Sequence, residues 1–97
     1  MTSGRVIVCD DEMLIRLWLA EHLGELGYTV EQVADGTALL AAFTREPADL
    51  VLLDLRLPDG TGIDFLGRLK AVDPLLPVII MSAYGEVEDR KSTRLNS

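Results

Sequence analysis

Apolar and polar residues alternate in blocks along the chain, and the blocks predict strands and helices in turn. Four apolar runs have the length of strands: 5–9, 28–33, 50–54 and 78–81. Three segments between them carry apolar residues at helical spacing: 12–26, 37–45 and 63–71. Such alternation forms right-handed βαβ units around a parallel sheet. The pattern therefore predicts an α/β domain with four strands, three helices and the start of a fourth helix at Glu86.

The first predicted helix carries an apolar stripe that we expect to face the sheet: Ile15, Leu19, His22, Leu23 and Leu26. Asp11 can cap the start of this helix, and Gly27 marks its end. We expect His22 to be a core or half-buried residue rather than a ligand, and Trp18 to serve in packing rather than in recognition. Leu14 and Leu17 lie outside the stripe and are candidates for a partner contact.

The later helices each place apolar residues on one face. The residues expected to point inward are Leu39, Leu40 and Phe43 in the second helix and Leu66 and Leu69 in the third. The segment 57–62 reads as a loop because of its Pro and Gly content. The third strand is apolar at every position except its last, which is typical of a parallel strand covered on both faces.

Composition narrows the class of protein. The 97 residues suffice for one domain, and 48% hydrophobic with 26% charged residues is a globular composition. A net charge of −7 argues against a nucleic-acid surface. We find no stretch of membrane-span length and no signal-peptide pattern, and we therefore expect a cytoplasmic protein without membrane contact. The single cysteine, Cys9, excludes an intrachain disulfide and is expected to be a small buried hydrophobe.

Polar residues gather at the carboxyl ends of the predicted strands. Asp10 and Asp11 follow the first strand, Asp54 ends the third, and Ser82 follows the fourth. Open α/β sheets bind ligands at this edge. Three carboxylates there would repel one another unless a cation lies between them, and oxygen ligands suit Mg²⁺. A carboxylate in such a place can also act as a nucleophile and form an aspartyl phosphate.

These motifs together resemble the receiver domain of two-component response regulators. The resemblance rests on Asp10-Asp11, on Asp54 with the segment 55–62 behind it, and on Met81-Ser82-Ala83-Tyr84, and it covers residues 5 to 89. It implies a flavodoxin-like parallel sheet with helices on both faces. Helix capping alone would need one acidic residue after the first strand, so the adjacent pair favours metal binding.

The resemblance assigns a role to each matching residue. Asp54 would be the phosphoacceptor. Asp11 and Asp54 would bind Mg²⁺ directly, Asp10 would act mainly through a metal-bound water, and the backbone carbonyl of Arg56 would complete the protein ligands.

Switching and partners follow from the same resemblance. The Ser82 hydroxyl and the Ala83 backbone amide would contact a phosphoryl oxygen, and closure of their loop would carry the signal. The phosphoryl donor would be a sensor histidine kinase. The receiver would switch an output domain, expected to be transcriptional, that follows it in the intact protein. A receiver–receiver dimer of that protein is also compatible with the resemblance.

The end of the chain departs from the family pattern. A full receiver continues to a fifth strand that ends in a Lys, and Lys70, at the far end of the third helix, cannot reach the pocket. We therefore expect residues 1–89 to be a receiver domain truncated after its fourth strand and residues 90–97 to be a non-native tail.

Two alternative functions remain open. The first is an inert fragment or a phosphorylation-independent interaction module. The second is a Mg²⁺-dependent phosphohydrolase with an Asp nucleophile. Enzymes of the haloacid-dehalogenase type carry Asp-x-Asp after strand one, whereas the pair here is adjacent.

Overall fold

The structure, a computed structural model, describes residues 4–81 of the chain. The strands are β1 (Arg5–Cys9), β2 (Thr29–Val33), β3 (Leu50–Asp54), β4 (Arg56–Leu57), β5 (Gly60–Thr61) and β6 (Val78–Met81). The helices are α1 (Met13–Glu25), α2 (Gly36–Arg45) and α3 (Gly62–Val72). Four strands form a parallel sheet in the order β2-β1-β3-β6, which confirms the predicted fold class. The predicted start of a fourth helix lies outside the described residues.

The register of the central strands sets the geometry of the carboxyl edge. Cys9 of β1 pairs with Leu53 of β3, so the next residues, Asp10 and Asp54, lie side by side where the two strands end. Asp54 in turn pairs with Met81, the last residue of β6. Chain direction and register alone thus bring acidic residues from two strands to one edge.

Apolar side chains pack on both faces of the sheet, as the all-apolar central strands predict. On one face α2 and α3 cover a core that includes Ile7, Cys9, Leu39, Phe43, Val51, Leu53, Phe65 and Leu69. On the other face α1 packs against Val6, Val8 and Leu52. The predicted inward positions of α2 and α3 are confirmed, with Leu40 and Leu66 half-buried. Phe65, which is 4% exposed, is an inward residue that the helical pattern did not identify.

The predicted stripe of α1 is only partly right. Leu19 and Leu23 are half-buried against the sheet. Ile15, His22 and Leu26 are exposed, and Leu26 leaves 69% of its surface open within the described part of the chain. Apolar residues occur on every side of this helix, so the spacing fits several stripes and only packing selects one. The predictions that His22 is a core or half-buried residue and that Trp18 packs into the protein are wrong, because both side chains are exposed and contact each other, with ring centroids 4.1 Å apart. Leu14 and Leu17 are exposed, and a partner contact for them stays a prediction.

The segment 57–62, predicted to be a loop, contains a short hairpin. β4 and β5 pair antiparallel, with Arg56 opposite Thr61 and Leu57 opposite Gly60. Gly60 has a φ of 156°, a conformation that suits glycine. Two-residue strands are too short to show alternation, so the sequence pattern does not reveal them. The α3 helix then begins at once, because the Thr61 hydroxyl accepts a hydrogen bond from the backbone N–H of Asp64 at 3.2 Å.

Arg5 ties the opposite edge of the sheet to the end of α2. Its buried guanidinium bonds Glu31 at 2.8 Å and the carbonyl oxygens of Ala42 at 3.2 Å and Glu46 at 2.9 Å. The Ala42 carbonyl also accepts from the N–H of Glu46, the C-cap residue of α2, at 3.0 Å, so Arg5 adds a second bond there and provides a donor for the Glu46 carbonyl just past the helix end. Lys70 donates to the Leu76 carbonyl at 2.6 Å, just before β6 begins. This contact lies at the amino end of the sheet, opposite the strand-end carboxylates, which agrees with the prediction that Lys70 cannot reach the pocket.

Candidate functional site

Three carboxylates meet at the carboxyl edge of the sheet. One oxygen from each of Asp10, Asp11 and Asp54 lies within 4.8 Å of the others. Asp10 is buried, Asp54 is half-buried and Asp11 is exposed. The cluster therefore opens to solvent on one side while its base is part of the folded core. The acidic group that the sequence predicts is brought together as expected.

Backbone groups hold Asp10 in place. Its N–H donates to the Val33 carbonyl at 3.1 Å, and its Oδ1 accepts from the N–H of Glu12 at 2.9 Å. The Arg16 side chain donates to the Asp10 carbonyl at 2.8 Å. The expectation that Asp11 caps α1 is wrong, because Glu12 is the N-cap residue and it makes no side-chain cap. Asp10, rather than Asp11, accepts the hydrogen bond from the Glu12 N–H at the start of α1. The Asp11 carboxylate is therefore not used as a cap and belongs to the acidic cluster.

A second set of contacts orients Asp54. The following N–H, that of Leu55, donates to the Met81 carbonyl at 2.9 Å, which continues the sheet past Asp54. The N–H of Arg56 donates to Asp54 Oδ1 at 3.3 Å. Gly62 N–H donates to the Leu55 carbonyl at 2.7 Å. A side chain at Gly62 would overlap the Asp54 carbonyl, so glycine permits this close approach.

The electrostatics of the cluster favour a cation. Burial raises the pKa of the Asp54 carboxyl above its usual range, and the negative charges of Asp10 and Asp11 raise this pKa further. The hydrogen bond from the Arg56 N–H acts in the opposite direction. A group of oxygen donors that is short of positive charge matches the coordination that Mg²⁺ prefers. The residues present therefore fit a divalent ion of that kind.

Two predicted site residues cannot be placed. Ser82 and Ala83 lie outside the described residues, so their contacts with a phosphoryl group stay predictions. The backbone carbonyl of Arg56 as a metal ligand also stays a prediction; Arg56 lies two residues after Asp54, and its N–H donates to the Asp54 carboxylate at 3.3 Å.

Asp59 is a residue near the site that the sequence reasoning missed. Its carboxylate accepts hydrogen bonds from the Gly36 N–H at 2.9 Å, the Thr37 N–H at 2.9 Å and the Thr37 hydroxyl at 2.8 Å. These bonds lower the pKa of the Asp59 carboxyl. The partners lie 22 and 23 positions from Asp59, so only its place in a Pro-Asp-Gly turn could have drawn attention to it.

Cys9 is the last residue of β1 and directly precedes Asp10. It is fully buried, and its thiol donates to the Asp35 carbonyl at 3.4 Å. Burial, together with the surrounding acidic groups, raises the pKa of this thiol to about 12. The prediction of a small buried hydrophobe is confirmed, and the raised pKa keeps the thiol from acting as a nucleophile.

Comparison with known proteins gives consistent matches. The family model of the response regulator receiver domain matches residues 6–94. Sporulation initiation phosphotransferase F of Bacillus subtilis is 41% identical over 88 residues, which cover 91% of this chain and 71% of that protein. The probable transcriptional regulatory protein TcrX of Mycobacterium tuberculosis is 38% identical over 88% of this chain, which spans only 36% of that longer protein. The match includes part of the segment 90–97, and the predicted boundary at residue 89 stays a prediction.

Solved structures show the same architecture. The non-phosphorylated HemR receiver domain of Leptospira biflexa superposes with a TM-score of 0.79 and 29% identity, over 86% of this chain and 67% of that chain. Within residues 4–81, no helix has both the length and the apolar character needed to cross a membrane.

Proposed function

Because the chain belongs to the family of response-regulator receiver domains, we propose that it accepts a phosphoryl group on Asp54 in a Mg²⁺-dependent reaction. A receiver domain is a signalling domain rather than a classical enzyme. Receiver domains of response regulators are phosphorylated by histidine kinases, and we assign that role here to a sensor histidine kinase. The output would be transcriptional, since TcrX is named as a regulatory protein and extends well beyond the part matched by this chain. A cytoplasmic location stays a prediction.

The observation that carries the proposal is the place of Asp54 among the three carboxylates. Asp10 is buried, and one of its oxygens already accepts from the Glu12 N–H. Asp11 is exposed at the start of α1. Asp54 is half-buried with Asp10 and Asp11 beside it, so a metal ion held by the cluster would lie next to the attacking carboxylate.

The same residues would hold the metal ion. Asp11 and Asp54 would ligate Mg²⁺ directly, the Arg56 carbonyl would complete the protein ligands, and Asp10 would act mainly through a metal-bound water. When bound, the ion supplies positive charge that offsets the carboxylates and the incoming phosphoryl oxygens.

The transfer itself needs no further co-reactant. An Asp54 carboxylate oxygen attacks the phosphorus of the kinase phosphohistidine, and the phosphorus–nitrogen bond breaks. The imidazole leaves and takes up a proton from solvent, while Asp54 becomes a mixed carboxylic–phosphoric anhydride. Water later attacks the phosphorus, which releases phosphate and restores the carboxylate. Ser82 and Ala83 would contact the phosphoryl oxygens and so couple phosphorylation to the segment after β6.

Intact-mass spectrometry with a small phosphodonor such as phosphoramidate tests the proposal. We expect one added phosphoryl group in the presence of Mg²⁺ and none after chelation with EDTA. Asp54→Ala should abolish the addition. Asp64→Asn, which removes an exposed acidic residue on α3, should leave it unchanged. Full phosphorylation of the Asp54→Ala variant would place the acceptor elsewhere, and a folded wild-type chain that takes up no phosphoryl group would favour an interaction module.

A further inference from the structure

The β4–β5 hairpin that follows Asp54 is attached to the rest of the domain at two points. At its base, the Gly62 N–H bonds the Leu55 carbonyl at 2.7 Å, next to the phosphoacceptor. At its tip, the Asp59 carboxylate bonds the start of α2. Arg56 lies between these two points, and its N–H donates to Asp54. Any rotation of the hairpin about its base would therefore move the Arg56 backbone relative to Asp54.

The attachment at the tip uses both oxygens of one carboxylate. Oδ1 of Asp59 accepts from the Gly36 N–H, while Oδ2 accepts from the N–H and the hydroxyl of Thr37. The first N–H groups of a helix have no partner within the helix, and a helix N-terminus attracts negative charge. Two bonded oxygens define the orientation of the tip as well as its position.

The anchor on α2 is itself well supported. Asp35 caps the helix by accepting from the Ala38 N–H at 2.7 Å. Gly36 is buried, and its missing side chain leaves the space that the Phe65 ring fills. The same ring lies under the hairpin, since a side chain atom at Gly60 would be 3.0 Å from it. The hairpin tip, the start of α2 and α3 thus meet around one aromatic ring.

We propose that Asp59 is a positioning residue of the phosphorylation site. By bonding the hairpin tip to α2, it holds the Arg56 backbone beside Asp54, where the N–H bonds the Asp54 carboxylate and the carbonyl would serve as the proposed metal ligand. This inference rests on the function proposed above. Asp59 would act through the hairpin, since both of its carboxylate oxygens are bonded to the start of α2 and it is not among the residues proposed to hold the metal.

Charge and geometry must be separated in the test, because Asp59 is also a negative charge near the strand ends. Its field reaches Cys9, where it contributes to the raised pKa of the thiol. Asp59→Asn removes the charge but keeps an oxygen that can accept from one N–H. Thr37→Ala keeps the charge and removes only the hydroxyl bond. Asp59→Ala removes both, and Asp64→Asn is a matched control, since it removes an exposed charge a few residues further along.

The first measurement follows amide hydrogen exchange by NMR without Mg²⁺ or phosphodonor. In Asp59→Ala we expect faster exchange at Gly36 and Thr37 and, because the hairpin is released, at Arg56. Thr37→Ala should show the same change in smaller degree, and the control should show none. If exchange at Gly36 and Thr37 accelerates while that at Arg56 stays at the wild-type rate, the hairpin does not transmit the anchor and the proposal is overturned.

The second measurement is Mg²⁺ affinity by calorimetry, with the lifetime of the acyl phosphate followed in parallel. We expect Asp59→Ala to weaken Mg²⁺ binding roughly tenfold, at the low end of the effect of removing a group that supports a metal ligand. Asp59→Asn should recover part of this loss, whereas a pure charge effect would make the Asn and Ala variants equal and would overturn the proposal. Wild-type chain that takes up no phosphoryl group would contradict the proposed function, while the exchange experiment would still decide whether Asp59 positions Arg56. If Asp59→Ala fails to fold, the Asn and Thr37→Ala variants decide by the same comparison.

Discussion

Replacing Asp54 with Asn should stabilise the Mg²⁺-free chain at neutral pH. The change keeps the size of the side chain and the oxygen that accepts from the Arg56 N–H, but it removes one of three clustered negative charges. Two unit charges 4.8 Å apart repel by about 1 kcal/mol in bulk water and by about 3 kcal/mol at the effective dielectric constant of a protein surface. Because Asp54 is only half-buried and Asp11 is exposed, solvent screens the repulsion, and we expect a gain of about 1–2 kcal/mol in the free energy of unfolding.

The pH dependence of the free energy of unfolding provides a second measure of the unfavourable charge at Asp54. Folding raises the pKa of Asp54, so between its unfolded and folded pKa values the folded chain binds more protons than the unfolded chain. The stability that Asp54 contributes is therefore fully present below the unfolded pKa and is lost as the pH rises through the folded pKa. The Asn variant has no proton to lose in this window, and its stability should vary less with pH there.

Urea unfolding followed by circular dichroism measures both effects. Wild type, Asp54→Asn and the control Asp64→Asn are compared in EDTA and in Mg²⁺. Saturation at a hundred times the dissociation constant should stabilise the wild type by about 2.7 kcal/mol, and most of this gain should disappear in Asp54→Asn. The reasoning would be refuted if Asp54→Asn were no more stable than the wild type in EDTA, or if Mg²⁺ stabilised both chains equally.

Three further predictions concern packing and burial within the domain. Gly36→Ala should cost about 1–3 kcal/mol because its Cβ would overlap an aromatic ring of α3, whereas Gly67→Ala, in open space within the helix, should gain about 0.5–1 kcal/mol; urea midpoints that shift in the same direction would contradict this. Arg5→Lys should cost about 1–3 kcal/mol, since an ammonium cannot reproduce the bonds of the guanidinium to a carboxylate and two carbonyls, and an unchanged midpoint would disprove it. The Cys9 thiol, with a pKa of about 12, should resist a disulfide reagent at neutral pH until urea unfolds the chain, and rapid labelling of the folded chain would be the contrary result.

Local pattern and chain direction were sufficient for much of this protein. The bounds of β1 and β3 agree with the apolar runs in the sequence, because a strand covered on both faces is apolar over most of its length. The meeting of Asp10, Asp11 and Asp54 was also predictable, since parallel strands all end at the same edge of a sheet. Nothing beyond the order of strands and helices is needed for that inference.

The side of α1 that meets the sheet could not be read in the same way. Apolar residues surround this helix, so its periodicity allows several faces, and the structure selects the one that carries Leu19 and Leu23. The β4–β5 hairpin was equally hidden, because each of its strands has two residues and a conformation set by Gly60 and by the bond from Gly62 to Leu55.

What the sequence determined by itself is thus the alternation of elements and the acidic edge, which depend on residues close together in the chain. The tertiary structure alone decided the surroundings of that edge. The bonds from Asp59 to the start of α2 join residues that are 22 and 23 positions apart, and the ring of Phe65 fills a space left by Gly36. Contacts of this kind depend on how helices and turns come together in three dimensions, and no periodicity in the chain encodes them.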